Sequence, residues 1–139
     1  MTETTAAPDI SHLSIPKDPW TEPFWDGTAR GELLLPHCGA CGAHRWPPGP
    51  FCPECRSQDV DWAPAGPAVL YSYTVVRQPL PDGETRIVAP SLVEFPESGG
   101  VRIVAALVDT PVSAIAIGAP VTLGWNRHGE DNVPVFSIG

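Results

Sequence analysis

Two cysteine pairs of identical spacing constrain this chain more than any other feature. They are Cys38-x2-Cys41 and Cys52-x2-Cys55, separated by ten residues. A CxxC segment forms a tight turn that directs two thiolates to one point, and two such turns supply the tetrahedral four-sulfur set that structural zinc prefers. Gly42, directly after Cys41, suits a backbone position with positive φ. The spacing therefore predicts a zinc ribbon with all four cysteines as ligands.

Four coordinating thiolates leave no open position on the metal, so the zinc is expected to be structural. It replaces the hydrophobic core that a module of roughly 20 residues cannot build. Two alternatives to zinc stay open. The four cysteines could bind iron, which takes the same ligands in a rubredoxin-like site, or they could form disulfides, as cysteines do in oxidising compartments. His37 and His44 flank the cysteines and are expected beside the site, since four sulfurs complete it.

The remainder of the chain has a β-type pattern. Hydrophobic residues make up 42% of it, enough for a core, and 18 prolines and 13 glycines break it into short runs. Five runs rich in β-branched and aromatic residues predict strands, with an irregular insert at 109–119 between the third and the fourth. The predicted strands are 69–75, 87–95, 101–108, 121–125 and 133–138. This mostly β plan is that of a five-stranded OB-fold barrel, with a small sandwich as the competing architecture.

Four segments follow from these patterns. Residues 1–18 are polar and interrupted by proline, which predicts a disordered tail. Residues 19–34 contain a short N-terminal helix at about 22–30, with Thr21 as its N-cap and Gly31 as its stop. The zinc ribbon then occupies 35–62 and the OB-fold domain 63–139. Within the second strand, Pro90 predicts an edge or a bulge, and the polar residues 79–86 before that strand predict a loop.

Charge and hydropathy bear on partners and location. The formal net charge is −8 and Lys17 is the single lysine, so the overall field of the protein repels nucleic-acid phosphates. No apolar run approaches the roughly 20 residues that cross a bilayer, and the chain does not start with a charged and then apolar signal sequence. We therefore expect a cytoplasmic protein with no membrane or nucleic-acid partner.

The order of these motifs resembles one known family. The shared features are Phe24-Trp25, Gly31, Leu33, Cys38-x-x-Cys41-Gly42, Pro47-Pro48, Cys52-Pro53-x-Cys55, Trp62, Gly66, the run 71–75 and Ile117-Gly118-x-Pro120-Val121. Over about residues 20–138 the chain is similar to the acyl-CoA-associated DUF35-type proteins, in which a rubredoxin-like zinc ribbon precedes an OB-fold. It departs from the family at Ala68, where relatives often have glycine, and in the loop 83–87, which usually contains an aromatic residue and a proline.

The resemblance implies an accessory subunit of a thiolase-fold enzyme. Relatives serve sterol-carrier-type thiolases or aldolases that act on acyl-CoA, including steroid side-chain degradation, and the large subunit holds the catalytic residues. The leading helix and ribbon contact that subunit in relatives, so the aromatic residues Trp20, Phe24 and Trp25 are predicted to bind the partner. Cationic and aromatic side chains are the candidates for acyl-CoA binding in the complex: Arg45, Arg56, Tyr73, Arg77 and Arg86.

No residue of this chain is assigned a catalytic role. The four cysteines are committed to metal, and the sequence has no G-x-S-x-G nucleophile elbow and no glycine-rich phosphate loop. Two functions of other classes stay open. Zinc ribbons and OB-folds both occur in proteins that bind single-stranded nucleic acid, for which Tyr71, Tyr73 and Trp125 would be stacking residues. A rubredoxin-like electron carrier would contain iron.

Overall fold

The structure, a computed structural model, describes residues 3–139. It is mostly β, with one short α-helix at the start and one 3-10 turn, Val112–Ala114. In chain order the elements are α1 (Glu22–Ala29), β1 (Leu34–Cys38), β2 (Val60–Pro64), β3 (Ala68–Tyr73), β4 (Val76–Pro79), β5 (Thr85–Phe95), β6 (Val101–Leu107), β7 (Pro120–His128) and β8 (Asp131–Ser137).

A two-stranded antiparallel sheet, β1 with β2, forms the base of the ribbon. Leu34 lies opposite Pro64 at one end, and Cys38 lies opposite Val60 at the other. Because Cys38 is the last residue of β1, the sheet holds the first cysteine pair at its end. The second pair lies in the connection between the two strands, so both pairs come together there.

The second half of the chain is the predicted OB-fold barrel, and its five strands close on themselves. The strand order is β3-β7-β8-β6-β5, and β3 also pairs with β5, which completes the ring. All neighbours are antiparallel except β6 and β8, which run parallel. A parallel pair cannot be joined by a hairpin, so the insert after β6 and the intervening strand β7 carry the chain around before β8.

The prediction of a loop at 79–86 was wrong in its extent. β4 pairs with the first part of β5, with Pro79 opposite Thr85, so the strands continue almost to the turn. The turn itself is closed by hydrogen bonds from the amide of Leu80 to the carbonyl oxygen of Glu84 (2.8 Å) and from Gly83 to Leu80 (3.0 Å). Polar side chains suggested a loop because every residue of β4 is exposed to solvent, so this strand lacks the buried face that marks a strand in sequence.

Alternation along β5 builds the barrel core. Its inward residues Ala89, Val93 and Phe95 are fully buried. Phe95 packs edge-to-face on Phe136 of β8, with ring centroids 6.1 Å apart. Burial of one such side chain stabilises the fold by about 1.5–3 kcal/mol. Pro90 lies on the outer side of the same strand, where its carbonyl oxygen accepts a hydrogen bond from the amide of Thr74.

Pro90 lies where the ladder along β5 changes partner, because β3 pairs with β5 as far as Ser91 and β4 pairs with it from Val88. The register between β3 and β5 shifts between Leu70 and Ser72, which leaves Tyr71 as the extra residue of a bulge. The bulge is not opposite Pro90, whose missing amide proton instead suits the interruption between β3 and β4.

Helix α1 packs against the end of the barrel. The predicted cap Thr21 occupies the N-cap position without a side-chain capping bond, and the carboxylate of Asp18 accepts the amides of Trp20 and Thr21 instead, each at 2.9 Å. Asn132 of β8 donates to the carbonyl oxygen of Thr28 at 2.9 Å. Across residues 3–139 the structure contains no helix long and apolar enough to cross a membrane.

The disordered tail expected at 1–18 differs from the structure over residues 3–18, which we call the strap; residues 1 and 2 lie outside the described part. The amide of Thr5 donates to Thr110 (2.9 Å), Asp109 donates back to Thr5 (2.8 Å), and Ala6 donates to Ile87 (2.8 Å). Thr5 is buried. Composition suggested disorder because the strap has few apolar residues, but its backbone hydrogen bonds to the barrel supply the order.

The strap runs between two turns of the barrel. Pro8 and Asp9 line a cavity of about 660 Å³ beside the β4–β5 turn, and the same residues line a second cavity beside the β7–β8 turn. Its end is tied down where Lys17 pairs with Asp131 at 2.6 Å. These two turns flank the cleft in which OB-folds usually bind oligonucleotides and oligosaccharides. The protein's own strap therefore occupies that cleft.

The ribbon rests on the turn between β5 and β6. Gly99 in this turn has a φ of +68°, and a Cβ added there would lie 2.7 Å from Nδ1 of His44. The neighbouring Ser98 donates its hydroxyl to the carbonyl oxygen of Ala65 at 2.8 Å, just after β2. Glycine is required at 99 both for its conformation and for this close approach.

Candidate metal centre

The four cysteine sulfurs converge on one point. All four Sγ atoms lie within 4.8 Å of one another, and the pairs Cys38–Cys55 and Cys41–Cys52 are each separated by 3.6 Å. A tetrahedron with zinc–sulfur bonds of about 2.3 Å has edges of about 3.8 Å. The distances therefore fit a structural tetrathiolate zinc, as the sequence predicted. When bound, the metal supplies the cross-link that holds the ribbon together.

Both cysteine pairs form the same turn. The amide of Gly42 donates to the carbonyl oxygen of Cys38 at 2.9 Å, and the amide of Arg56 donates to that of Cys52 at 3.0 Å. Gly42 and Arg56 each follow the second cysteine of their pair, and their φ values are +82° and +68°. The two turns are thus equivalent, except that an arginine holds the left-handed position in the second one.

Backbone amides stabilise the thiolate form of the first cysteine in each pair. The amides of Cys41 and Ala40 point at Cys38 Sγ, at 3.4 and 3.3 Å, and lower the pKa of that thiol to about 6. The amides of Cys55 and Glu54 lower the pKa of Cys52 in the same way. A hydrogen bond to the charged form favours that form, so the first cysteine of each turn is the one that the backbone favours as a thiolate.

Replacement of Arg56 by glycine should stabilise the zinc-loaded protein by about 0.5–1 kcal/mol, because a side chain in the left-handed conformation costs roughly 1–2 kcal/mol and glycine offsets part of this through its unfolded-state entropy. Denaturant titration at saturating zinc measures the change. The matched variant Gly42→Ala imposes the reverse substitution at the equivalent position and should be destabilising. A loss of stability in Arg56→Gly would mean that the arginine side chain makes contacts that outweigh the strain.

The residues predicted to bind acyl-CoA fall into two groups. Arg45 and Arg56 belong to the ribbon. Tyr73, Arg77 and Arg86 lie on the barrel, where Arg77 pairs with Ile87 across the β4–β5 hairpin and Arg86 is the next residue along the strand. The structure does not bring the two groups into one pocket.

Arg45 is the clearest departure from its predicted role. Its side chain is only 4% exposed, and it donates to the carbonyl oxygens of Gly49 and Asp59, each at 3.0 Å. A guanidinium committed to backbone oxygens inside the ribbon cannot reach a phosphate in solvent. Arg45 is therefore a structural residue of the ribbon. Arg56, in contrast, is exposed.

The hairpin arginines face carboxylates of the strap. Both oxygens of Glu3 accept hydrogen bonds from Arg77, at 2.6 and 2.7 Å, and this pairing lowers the pKa of the Glu3 carboxyl. Arg86 lines the larger strap cavity together with Asp9, whose pKa is lowered chiefly by hydrogen bonds from Ser11 and further by the charge of Arg86. The third barrel candidate, Tyr73, is 39% exposed on the outer side of β3.

The three N-terminal aromatic residues have different environments. Phe24 is 6% exposed and stacks edge-on against Trp25 (5.0 Å) and tilted against Trp46 (5.4 Å). Burial removes Phe24 from the surface that a partner can reach, so the sequence grouped it wrongly with its neighbours. Trp25 is half-buried and Trp20 is 39% exposed.

One exposed aromatic residue beside the cysteines was not predicted as a binding residue. Phe51, directly before Cys52, is 56% exposed at the ribbon surface. The sequence could have indicated this exposure, because Phe51 stands between Pro50 and the metal ligand Cys52 and has few neighbours in the chain that could bury it.

Two family models match the chain, one for each half of the architecture. Residues 25–61 match the one described as "ChsH2, rubredoxin-like zinc ribbon domain". Residues 63–126 match the one described as "ChsH2, C-terminal OB-fold domain". Together they span the metal site and most of the barrel.

Similar proteins of known sequence or structure agree with these matches. A solved structure titled "Ltp2-ChsH2(DUF35) aldolase" contains a chain that is 32% identical, with a TM-score of 0.79, over 90% of this chain and 98% of that one. A DUF35-family protein of unknown function from Sulfolobus solfataricus has the same fold at a TM-score of 0.63 and 18% identity, over 88% of this chain and 85% of that one.

A relative of known sequence is longer than this chain. It is a "Probable enoyl-CoA hydratase alpha subunit" from Thermomonospora curvata, 38% identical over 116 residues. That match covers 81% of this chain and 36% of the relative, so the chain spans about a third of that protein's length.

Proposed function

Because this chain belongs to the ChsH2-type DUF35 family of zinc-ribbon and OB-fold proteins, we propose that it is a cytoplasmic accessory subunit of a thiolase-fold enzyme acting on acyl-CoA. The proposed partner reaction is an aldolase or thiolase step, such as one in steroid side-chain degradation. This chain stabilises the large subunit and helps to bind the substrate, while the large subunit supplies the catalytic groups.

The observation that carries the proposal is the match to a chain of the Ltp2-ChsH2 aldolase. It extends over 98% of that chain, so the shared region includes the ribbon and the barrel together rather than a zinc ribbon alone. The chemistry of the site agrees with an accessory role. The four thiols meet at one metal site, and in a zinc tetrathiolate they are neither free nucleophiles nor able to admit a substrate to the metal.

The proposed docking surface consists of Trp20 and Trp25 on the leading helix region and Phe51 on the ribbon. Two of these side chains are substantially exposed, Trp20 at 39% and Phe51 at 56%. Large aromatic residues dominate the energetics of protein interfaces. The buried Phe24 lies beneath Trp25 and fixes its position, so its contribution to docking is indirect.

We assign the acyl-CoA contact on this chain to the β4–β5 hairpin. Arg77 has the bidentate geometry that suits phosphate as well as carboxylate, and Arg86 lies on the opposite face of the same hairpin, where it lines the strap cavity. Glu3 and Asp9 of the strap compete for these cations, so the phosphates of CoA bind in place of a strap carboxylate. Exposed ion pairs are weak and are screened by salt. Replacing a strap carboxylate by a CoA phosphate on an arginine therefore costs little free energy.

Two observations favour this proposal over the functions of other classes. The strap lies in the cleft that an oligonucleotide would use, and the net charge of −8 opposes nucleic-acid binding. Zinc has no accessible redox change in proteins, so a zinc-loaded ribbon does not carry electrons. Metal analysis of the purified protein distinguishes zinc from iron.

The test is co-purification of the tagged protein with the thiolase-fold enzyme of its own source. We expect a stable complex, and we expect the double variant Trp20→Ala, Trp25→Ala to weaken it at least about tenfold, because truncation of a hot-spot aromatic residue costs about 2 kcal/mol or more. Zinc content should be unchanged in the variant. Isothermal titration of the two purified subunits gives the dissociation constants.

Tyr73→Ala is the matched control, since Tyr73 is an aromatic residue with the same 39% exposure but lies on the barrel. It should leave the affinity for the large subunit unchanged. If no thiolase-fold protein co-purifies, the accessory role is wrong. If the control weakens the complex as much as the tryptophan variant does, docking occurs through the barrel instead.

A further inference from the structure

Arg45 is a buried cation without a carboxylate partner. Within residues 3–139, the four ion pairs involve Lys17, Arg30, Arg77 and Arg102, and none involves Arg45. Its Nε atom is buried with no hydrogen-bond partner, and its two terminal nitrogens donate to carbonyl oxygens. A buried charge of this kind is costly unless an opposite charge lies nearby.

Hydrogen bonds place the guanidinium between the two cysteine turns. Its Nη1 donates to Gly49, three residues before Cys52, and its Nη2 donates to Asp59, four residues after Cys55. The carbonyl oxygen of Asp59 also accepts the amide of Gly39, the residue after Cys38, at 3.2 Å. Because the two donors share one acceptor, Nη2 lies within about 6 Å of the Gly39 nitrogen.

The missing negative charge is that of the metal cluster itself. Four thiolates around a divalent ion carry a net charge of −2. The carboxylates beside Gly39, those of Asp59 and Asp61, belong to exposed residues, where water screens their charge. We propose that Arg45 is the internal counter-ion of the tetrathiolate metal site. It stabilises the folded, metal-bound ribbon, in which this net negative charge is enclosed, over the metal-free state, in which no such cluster exists.

This role has a consequence that a purely structural arginine lacks. Iron in the same four-sulfur site carries a net charge of −1 when ferric and −2 when ferrous, so a nearby positive charge favours the ferrous form. Two unit charges about 10 Å apart, at an effective dielectric constant of about 20, alter an equilibrium constant roughly tenfold. For a one-electron couple, a tenfold change corresponds to 59 mV.

The experiment compares Arg45→Gln and Arg45→Met, which remove the charge, with Arg45→Lys, which keeps it but loses the two-carbonyl clamp. Zinc affinity is measured by competition with a chelator, and the reduction potential is measured on the same full-length proteins loaded with iron. We expect both neutral variants to bind zinc at least about tenfold more weakly and to have a potential lower by about 59 mV. The lysine variant should stay close to wild type in both measurements.

Arg56→Gln is the matched control, because it removes an exposed arginine next to Cys55 whose charge is screened by water. Its potential should change by much less than that of the Arg45 variants. Equal behaviour of the lysine and the neutral variants would overturn the proposal and leave Arg45 with a clamping role alone. An unchanged potential in Arg45→Met, which tolerates loss of the hydrogen bonds through its apolar chain, would overturn it as well.

Discussion

Replacement of Cys52 by serine should remove the metal and unfold the ribbon while the barrel stays folded. Cys52 is fully buried and its Sγ lies 3.6 Å from that of Cys41. Mutation of a residue that only hydrogen-bonds to a metal ligand typically lowers metal affinity by about 10–100-fold. Loss of a ligand itself should therefore lower the affinity at least about a hundredfold. The free energy of zinc binding, about 10–16 kcal/mol in isolated zinc fingers, is then no longer available to fold the ribbon. Most of the shared core lies within the barrel, around Phe95 and Phe136, and we expect it to stay packed without the metal.

Zinc content by elemental analysis and amide chemical shifts by NMR follow the two halves separately. Ala40→Ser is the matched control, since it adds a hydroxyl to an exposed position of a cysteine turn without altering a ligand. It should retain one zinc per chain. Collapse of the barrel signals together with those of the ribbon in Cys52→Ser would contradict the prediction, and would mean that the two halves fold as one cooperative unit.

Replacement of Phe24 by alanine should cost about 3–5 kcal/mol of unfolding free energy, the range for truncation of a buried phenylalanine. The ring is 6% exposed and contacts two tryptophans, so its removal leaves a cavity where the helix, the ribbon and the barrel meet. Urea titration at saturating zinc measures the change.

Trp20→Ala provides the comparison for this measurement. Trp20 is more exposed and precedes the helix, so its truncation should change the stability by less than about 0.5 kcal/mol. Equal losses in the two variants would show that Trp20 also belongs to the core. The pair thus separates packing from docking among residues that are four positions apart.

The parts of this protein that sequence predicts are those set by short-range patterns. The spacing of Cys38, Cys41, Cys52 and Cys55 defines the metal site because each turn is only four residues long. The OB-fold follows from period-two alternation in five runs and from the long insert, which permits the parallel pair β6 and β8. Helix α1 was predicted to within one residue of its observed end.

What sequence did not predict depends on partners distant along the chain. The environment of Arg45 is set by Asp59 and Gly49, and nothing in the residue type distinguishes a buried guanidinium from an exposed one. Trp20 and Phe24 differ for the same reason, since burial is decided by what packs over each ring. The order of the strap requires hydrogen-bond partners about 105 residues away, which no local composition reveals.

The strap also has a consequence for the order of folding. Thr5 bonds to Thr110, a separation of 105 residues, so at synthesis rates of about 5–20 residues per second its binding site does not exist until at least about 5 s later. Residues 109–112 follow β6 directly, so we expect the strap to be seated only after β6 has joined the barrel. Interactions formed so late leave the folding rate almost unchanged, and their loss is seen as faster unfolding.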